Sequence, residues 1–459
     1  MAIPDVFKLE TCRRIALDQM VVAMIGVWMM LGFVPAQAQG FATDETVVYA
    51  REALLVPGQK PVKNVAIFIR GQRIQRIDYP VSMPSGDPEP LSGSAATRKV
   101  IDLSCCFLTP GLIDTQTHLQ SQIGMPPTKV RLVTWTDADN ALVAMVHAQR
   151  TLAAGFTTVR DMGSHGDAMY ALRDAINQGT IMGPRIQVAG EIIMPTGGDL
   201  RDWFRPDVES LFETPAICDG PADCRRAVRE LVALGSDTIK VATKMDLADR
   251  SPSQFTLDEL TAMVDEAKRL GVKITASAFS VESNNLPLEA GVDAVVHGVY
   301  IDQRTIELLR EKSAWYIPTL VAARTVKEMA EDPDSPFSQA WRDENLAIYH
   351  GMIDSFQRVR KAGLKIAFGT DAGWRPHGGN GEQLVQMTEL GMSPADVIVT
   401  ATSHAASAMG WEQEIGSLEA GKFADMVAVQ GDPLLDITQL TRLFAVIKGG
   451  HRVDPQFGQ

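Results

Sequence analysis

The chain is short of positive charge and of long apolar runs, and it lacks a nucleotide-binding fingerprint. Lysine and arginine number 43 against 56 aspartates and glutamates, a formal net charge of −13. So acidic a surface repels phosphate backbones and anionic lipid, and neither nucleic acid nor a stable membrane partner is expected. The most prominent apolar run, Met20 to Val34, is shorter than the roughly 20 residues that a membrane-spanning helix needs. No GxGxxG follows a strand-like run, so nothing points to a dinucleotide sheet. What remains, 45% hydrophobic and 22% charged residues, is an ordinary globular composition with enough apolar material for a sizeable core.

Arg13 and Arg14 precede the apolar run, and Ala36-Gln37-Ala38 closes it. A basic patch, an apolar centre and a small-x-small site read as a secretory signal peptide over residues 1–38, cleaved after Ala38. The mature protein is then expected to be periplasmic or secreted. Cys12 leaves with the leader. An oxidising compartment permits disulfides. Cys218 and Cys224 flank Asp-Gly-Pro-Ala-Asp, a turn that can bring them together; a bridge and two free thiols both remain open. Adjacent Cys105 and Cys106 cannot readily meet disulfide geometry with each other, so both are expected as buried, reduced thiols.

From Glu45 to about Phe107 the pattern is one of short strands and turns. Val65-Ala-Ile-Phe-Ile and Arg73-Ile-Gln-Arg-Ile surround Gly71, a hairpin signal. Ser82 to Arg98, rich in Pro, Gly and Ser, reads as loop. After Pro110 strands alternate with helices. Strands are expected at 112–114, 157–160, 185–189, 238–241, 274–278, 294–296, 315–318 and 365–368. Amphipathic helices lie between them, for example at 141–154, 223–234, 257–270 and 306–312. Gly155, Gly235, Gly271, Gly291 and Gly363 stand where helices stop before strands. Eight strands with helical crossovers indicate an α/β fold, a (β/α)8 TIM-like barrel over residues 108–409. Beyond Gly410 the pattern is β again. The two β-rich ends, 43–107 and 410–459, are expected to form one composite β-sandwich domain into which the barrel is inserted.

Barrel enzymes carry their chemistry at the C-terminal ends of the strands. Gln116 and His118 sit two apart at the end of the first strand, so they point to one face. Asp161 ends the second, with His165 four residues on. Lys240 lies in the fourth, Ser277 in the fifth, His297 ends the sixth, and Asp371 follows the eighth. His118, His297 and Asp371 are good ligands for a divalent metal. A lysine inside a barrel strand is costly unless it is paired, neutral or converted to a carbamate.

These stretches resemble the metal-dependent amidohydrolase superfamily, in its imidazolonepropionase-like and Xaa-Pro-dipeptidase-like branch. The resemblance runs from about Val47 to Val453. It is carried by Pro110-Gly-Leu-Ile-Asp, Ala154-Gly-Phe-Thr-Thr-Val-Arg-Asp, Gly183-Pro-Arg, Ile239-Lys240, Glu289-Ala-Gly-Val-Asp-Ala-Val-Val-His-Gly, Pro318-Thr-Leu, Phe368-Gly-Thr-Asp-Ala-Gly and Gly416-Ser-Leu-Glu-Ala-Gly-Lys-Phe-Ala-Asp. It implies a barrel with a composite β-sandwich and one or two divalent metals held by an HxH pair, a carboxylated lysine, two histidines and an aspartate. It also implies hydrolysis by metal-bound water with Asp371 as acid and base, and it admits a homo-oligomer.

The chain departs from that pattern at ligand positions. Gln116 stands for the first histidine of the pair, Ser277 for a strand-5 histidine, and Asp199 for a histidine frequent in relatives. His118, Lys240 and Asp371, with the Gln116 carbonyl, remain for a buried metal; Lys240 and His297 alone remain for a second. Three strong ligands hold a catalytic zinc and two do not. The expectation is therefore an exported amidohydrolase with a reduced site holding one metal, zinc or manganese, and acting on an N-acyl amino acid, a dipeptide or a cyclic amide. The alternative is a catalytically inactive relative that binds a ligand or a partner. His165 and His377, read as solvent-facing loop residues, are the spare ligands. Arg375, after Trp374, is a candidate to hold a substrate carboxylate, although a surface position is its default reading.

Overall fold

The computed structural model describes residues 45–83, 98–198, 214–243 and 253–454. Residues 1–38, expected as a leader, and Asp199 lie outside the described residues. Strands β1 (Glu45–Ala53), β2 (Val62–Arg70), β3 (Arg73–Asp78) and β4 (Arg98–Pro110) come first. The barrel strands follow: β5 (Leu112–Thr117), β6 (Phe156–Asp161), β7 (Arg185–Val188), β8 (Thr238–Ala242), β9 (Lys273–Ala278), β10 (Ala294–His297) and β11 (Trp315–Ile317). The chain returns to β in β12 (Met426–Val429), β13 (Ala445–Lys448) and β14 (His451–Arg452).

Both β-rich ends enter one seven-stranded sheet of order β14-β13-β12-β4-β1-β2-β3. It folds over on itself. Ile74 N donates to Lys422 O at 2.9 Å and Ala424 N to Gln72 O at 2.8 Å. Val65, Ile67 and Ile69 recur with period two on β2 and share a core with Met426, Ala428 and Ile447 from the far end of the chain. The β2–β3 hairpin is antiparallel.

The sheet passes straight into the barrel. β4 ends at Pro110 and β5 starts at Leu112, with Gly111 as the hinge. A Cβ at Gly111 would lie 2.1 Å from Thr157 Oγ1, so only glycine lets the first two barrel strands close up here. Asp425 fastens the junction: it accepts from Arg185 Nε at 2.7 Å and from Gly449 N at 2.6 Å.

In the barrel, β5-β6-β7 form one parallel group and β11-β10-β9-β8 another. Ile193 bridges to Val241 and links the groups on one side. The eighth segment closes the other side by single bonds rather than as a regular ladder. Tyr316 N donates to Lys365 O at 3.0 Å, and Thr115 N to Phe368 O at 3.0 Å. The strand expected at 365–368 is thus an irregular stretch, held by single bonds as the chain runs on to turn Asp371 inward. Helices run between the strands, among them Asp137–Ala153, Pro221–Leu234, Leu257–Leu270 and Gln303–Glu311. Thr256 and Glu259 form a capping box that starts the third of these.

Cys218 and Cys224 are joined, with Cα atoms 4.9 Å apart. Of the adjacent pair on β4, Cys106 is buried but Cys105 is exposed. The expectation that both are buried fails because neighbouring strand residues face opposite sides.

Candidate active site

Gln116, His118, Lys240, Ser277, His297 and Asp371 line one cavity of about 940 Å³, open mouth included, at the C-terminal ends of the barrel strands. Asp114 holds the floor together. Its carboxylate accepts from Thr370 N at 3.0 Å, Asn380 Nδ2 at 2.8 Å and Gln116 N at 3.1 Å. It thus ties the end of β5 to the segment carrying Asp371. In the β8–β9 register Lys240 pairs with Thr275 and Ala242 with Ser277, which places Lys240, Thr275 and Ser277 on the same inward face.

Gln116 is the centre of the polar floor. Lys240 Nζ donates to Gln116 Oε1 at 3.1 Å. Gln116 Nε2 donates to Asp371 Oδ1 at 3.0 Å and lies 3.2 Å from His118 Nε2. His118 Nε2 is also 3.2 Å from Asp371 Oδ1, and its Nδ1 is 3.2 Å from Gly163 O. His297 Nδ1 lies 2.8 Å from Thr319 Oγ1, and its ring stacks on Phe279 with centroids 4.4 Å apart. Asp371 and His297 both adopt left-handed backbone, with φ of 60° and 65°. For non-glycine residues this costs on the order of 1–3 kcal/mol each, a strain that concentrates at functional sites.

Burial sets the charges here. It pushes Lys240 down to about 7; Asp371 opposes the shift and Arg160 adds to it. Burial also pushes His297 down to about 3, against the pull of Asp371. Desolvation alone would lower His118, but the hydrogen bond and charge of Asp371 carry it above the usual imidazole range. Asp371 resists its own burial: the His118 hydrogen bond, the His297 and His118 charges and the Gln116 bond hold it well below the usual carboxylate range.

The sequence pattern of the amidohydrolase family matches residues 107–453. This chain belongs to the amidohydrolase family. Over 423 residues it is 28% identical to an ochratoxinase of Aspergillus niger, spanning 86% of this chain and 84% of that one. A solved Xaa-Pro dipeptidase with methionine bound in its active site superposes with a TM-score of 0.80 at 31% identity, covering 90% of this chain and 100% of that one. A putative prolidase from Bifidobacterium longum gives 0.73 at 26%, covering 90% and 95%. The neighbouring folds pair a TIM barrel with a β-sandwich, and the family's enzymes hydrolyse amide and peptide bonds of small molecules, generally with divalent metals.

His118 and Asp371 stand together at the floor of this amidohydrolase with the Gln116 amide beside them. The Gln116 terminal atom, His118 Nε2 and Asp371 Oδ1 form a triangle with sides of 3.0, 3.2 and 3.2 Å. Ligand bonds of about 2.0–2.2 Å set neighbouring ligands roughly 3 Å apart, a spacing that these hydrogen-bonded side chains share. The amide shows its nitrogen at its corner; reversed, it would show Oε1. A second cation has no such set. Ser277 brings no strong ligand, and among the described residues no three His, Cys, Asp or Glu side chains come together, at this floor or elsewhere.

The spare residues go elsewhere. His377 is buried, not solvent-facing: its Nε2 lies 2.9 Å from Ser121 O, and its ring stacks on His147. The turn after β5 holds it inward by presenting the His118 and Ser121 carbonyls to its Nε2. His165 is partly buried, and its backbone exchanges two hydrogen bonds with the Gln120 amide. Neither histidine lines the cavity. Arg375 pairs with Glu328 at 3.0 Å and with Glu382, away from the cavity wall. His404 Nδ1 meets Ile366 O at 3.0 Å. Asp161 accepts from Leu119 N at 2.7 Å. The walls are Trp341, Asn345, Tyr349 and Met352 of the helix Gln339–Lys361, with Phe279, all missing from the sequence reading, and Trp374, whose place after Asp371 marks it as a pocket candidate. No motif marks them, since wall residues need only size and polarity. Thr319 was within reach, as it sits in Pro318-Thr-Leu.

Proposed function

We propose that this chain hydrolyses the C–N bond of a small amide with an apolar body, at a single-cation centre formed by His118, Asp371 and Gln116. The observation that carries this reading is the triangle of donors at the floor of a cavity walled by Phe279, Trp341, Tyr349 and Trp374. The chemistry that a divalent cation such as zinc or manganese supplies in such a place is polarisation of the carbonyl and acidification of water. Asp371, held as a carboxylate, takes the proton that the water gives up and passes it to the leaving nitrogen. His297 is kept neutral by burial and steered by Thr319, and it offers its ring to the substrate carbonyl. The aromatic walls exclude water and seat the acyl group or side chain. N-acyl amino acids, dipeptides and cyclic amides with apolar substituents fit these walls, and relatives named as a Xaa-Pro dipeptidase and an ochratoxinase support that class. The leader-like residues 1–38 and the Cys218–Cys224 bridge support export to a periplasmic or extracellular compartment.

A second reading has its own observation. The Gln116 N–H groups already reach His118 and Asp371, so the floor is satisfied without a cation, as suits an inactive ligand-binding relative. Metal analysis of the purified mature chain, with a panel of aromatic acyl amino acids, dipeptides and cyclic amides, separates the two. About one zinc or manganese per chain with turnover supports the hydrolase. No cation and no hydrolysis, while an apolar amide still binds, establishes the second reading.

A further inference from the structure

We propose that the cavity is built for the linear acyl chain of an N-acyl amide, seated in a groove between the helices Leu320–Glu331 and Gln339–Lys361. This rests on the reading of the cavity as an amide site, and not on whether a cation is held there. Gln116, His118, Lys240, His297 and Asp371 gather at one end of the cavity. Thr319, the residue before the first helix, meets His297 Nδ1 at 2.8 Å and Met352 Sδ at 3.9 Å. The foot of the groove is therefore beside that polar end. At the other end Arg342 Nε donates to Ala330 O at 2.5 Å, so the two helices run antiparallel and lead away from the reacting groups.

The side chains that face the cavity recur with helical spacing. On the second helix they are Trp341, Asn345, Ile348, Tyr349 and Met352, one stripe of a helix surface. Arg342, Asp343 and Glu344 fall outside it. Asn345 turns its Nδ2 back onto Trp341 O at 2.8 Å, which lowers the polarity it shows to the groove. On the first helix Ala322, Ala323 and Val326 face the same space. Among the described lining residues neither stripe carries a charge. At the outer end Trp341 stacks on Phe337, with centroids 3.9 Å apart, and bounds the groove.

The stripes set a length. At about 1.5 Å of rise per residue, the stretch from residue 341 to 352 is roughly 16 Å long and that from 319 to 326 roughly 10 Å. An extended alkyl chain advances about 1.3 Å per carbon at ordinary C–C bond lengths, so about eight to twelve carbons span the groove. The shape suits a chain better than a ring system. Two packed helices, with axes about 8–10 Å apart, leave a groove between them that is long but narrow. Small Ala322 and Ala323 share it with large Ile348, Tyr349 and Met352, which gives it depth. The unbranched thioether of Met352 adapts to a flexible partner. A chain laid along the groove leaves water over its whole length and keeps its carbonyl at the polar end.

The test is a binding series on the full chain. N-acyl amides of one small amine, with linear acyl groups from acetyl to hexadecanoyl, are titrated by isothermal calorimetry below their micelle concentrations. The dissociation constant should fall about two- to fourfold per added methylene. It should level off at about eight to twelve carbons. Ala323→Leu, which fills the groove near its foot, should move that break to a shorter chain. Val326→Trp, at a partly exposed position farther out, should move it less and keeps the test usable if the first variant fails to fold. Affinity that ignores chain length overturns the inference. So does a ring-bearing acyl group that binds as tightly as the linear one of equal carbon count, or a break that neither variant moves. Release of the amine, followed by mass spectrometry, is read separately. Length-dependent binding without release overturns the hydrolase reading and leaves the acyl groove standing. Release from acetyl amides or dipeptides with no length dependence does the reverse, and no binding of any acyl amide overturns both.

Discussion

Replacing Asp371 with asparagine separates proton transfer from packing. The amide keeps the shape of the carboxylate and one acceptor oxygen for Gln116 Nε2, now 3.0 Å away. It loses the charge that carries His118 above its usual range and the ability to accept a proton. Removing a general acid–base group typically costs 10² to 10⁴ in rate, about 3–5 kcal/mol of transition-state stabilisation. The structure places the expected loss in kcat/KM in that range, with the fold intact. The stability effect has a defined sign. Asp371 is held below the usual carboxylate range, so its contribution is fully present above the unfolded carboxylate pKa and is lost as pH falls through the folded one. Any stability advantage of wild type over Asp371→Asn should therefore shrink in acid. The assay is kcat/KM on whichever amide the substrate panel identifies, beside thermal melts and metal content. A variant that retains more than about a tenth of wild-type kcat/KM at equal metal loading refutes the proton role. A loss fully explained by missing metal assigns Asp371 to ligation alone.

Three further outcomes follow from other parts of the molecule. Asp425→Ala should destabilise by about 2–3 kcal/mol in denaturant titration, because the largely buried Arg185 loses its carboxylate and Gly449 N its acceptor. The wild-type Asp425 carboxyl sits below its usual range, so the junction should weaken as pH falls through the folded value and not on the alkaline side. Cys218→Ser with Cys224→Ser should lower stability by about 2 kcal/mol for so short a loop. In the oxidised mature chain, thiol titration should find Cys105 reactive before unfolding and Cys106 only after it. Trp341→Ala should raise KM roughly tenfold with little change in kcat, since a wall residue binds ground and transition states alike; a kcat loss of that size instead would place Trp341 at the reacting atoms.

The barrel was legible because its strands are short buried runs between amphipathic helices that stop at glycine. Seven of the eight expected segments are ladder strands. The eighth is not, because the stretch up to Asp371 gives up regular pairing to turn that side chain inward, and periodicity carries no trace of such a turn. The convergence of Gln116 and His118 could be read from their spacing alone. Their partners could not. Whether a glutamine is a weak ligand or a hydrogen-bonded stopper depends on which neighbours present donors, and these come from strands 124 and 255 residues away in sequence. His377 shows the same limit. A loop histidine reads as solvent-facing until the carbonyls of residues 118 and 121 are known to lie within reach of its Nε2.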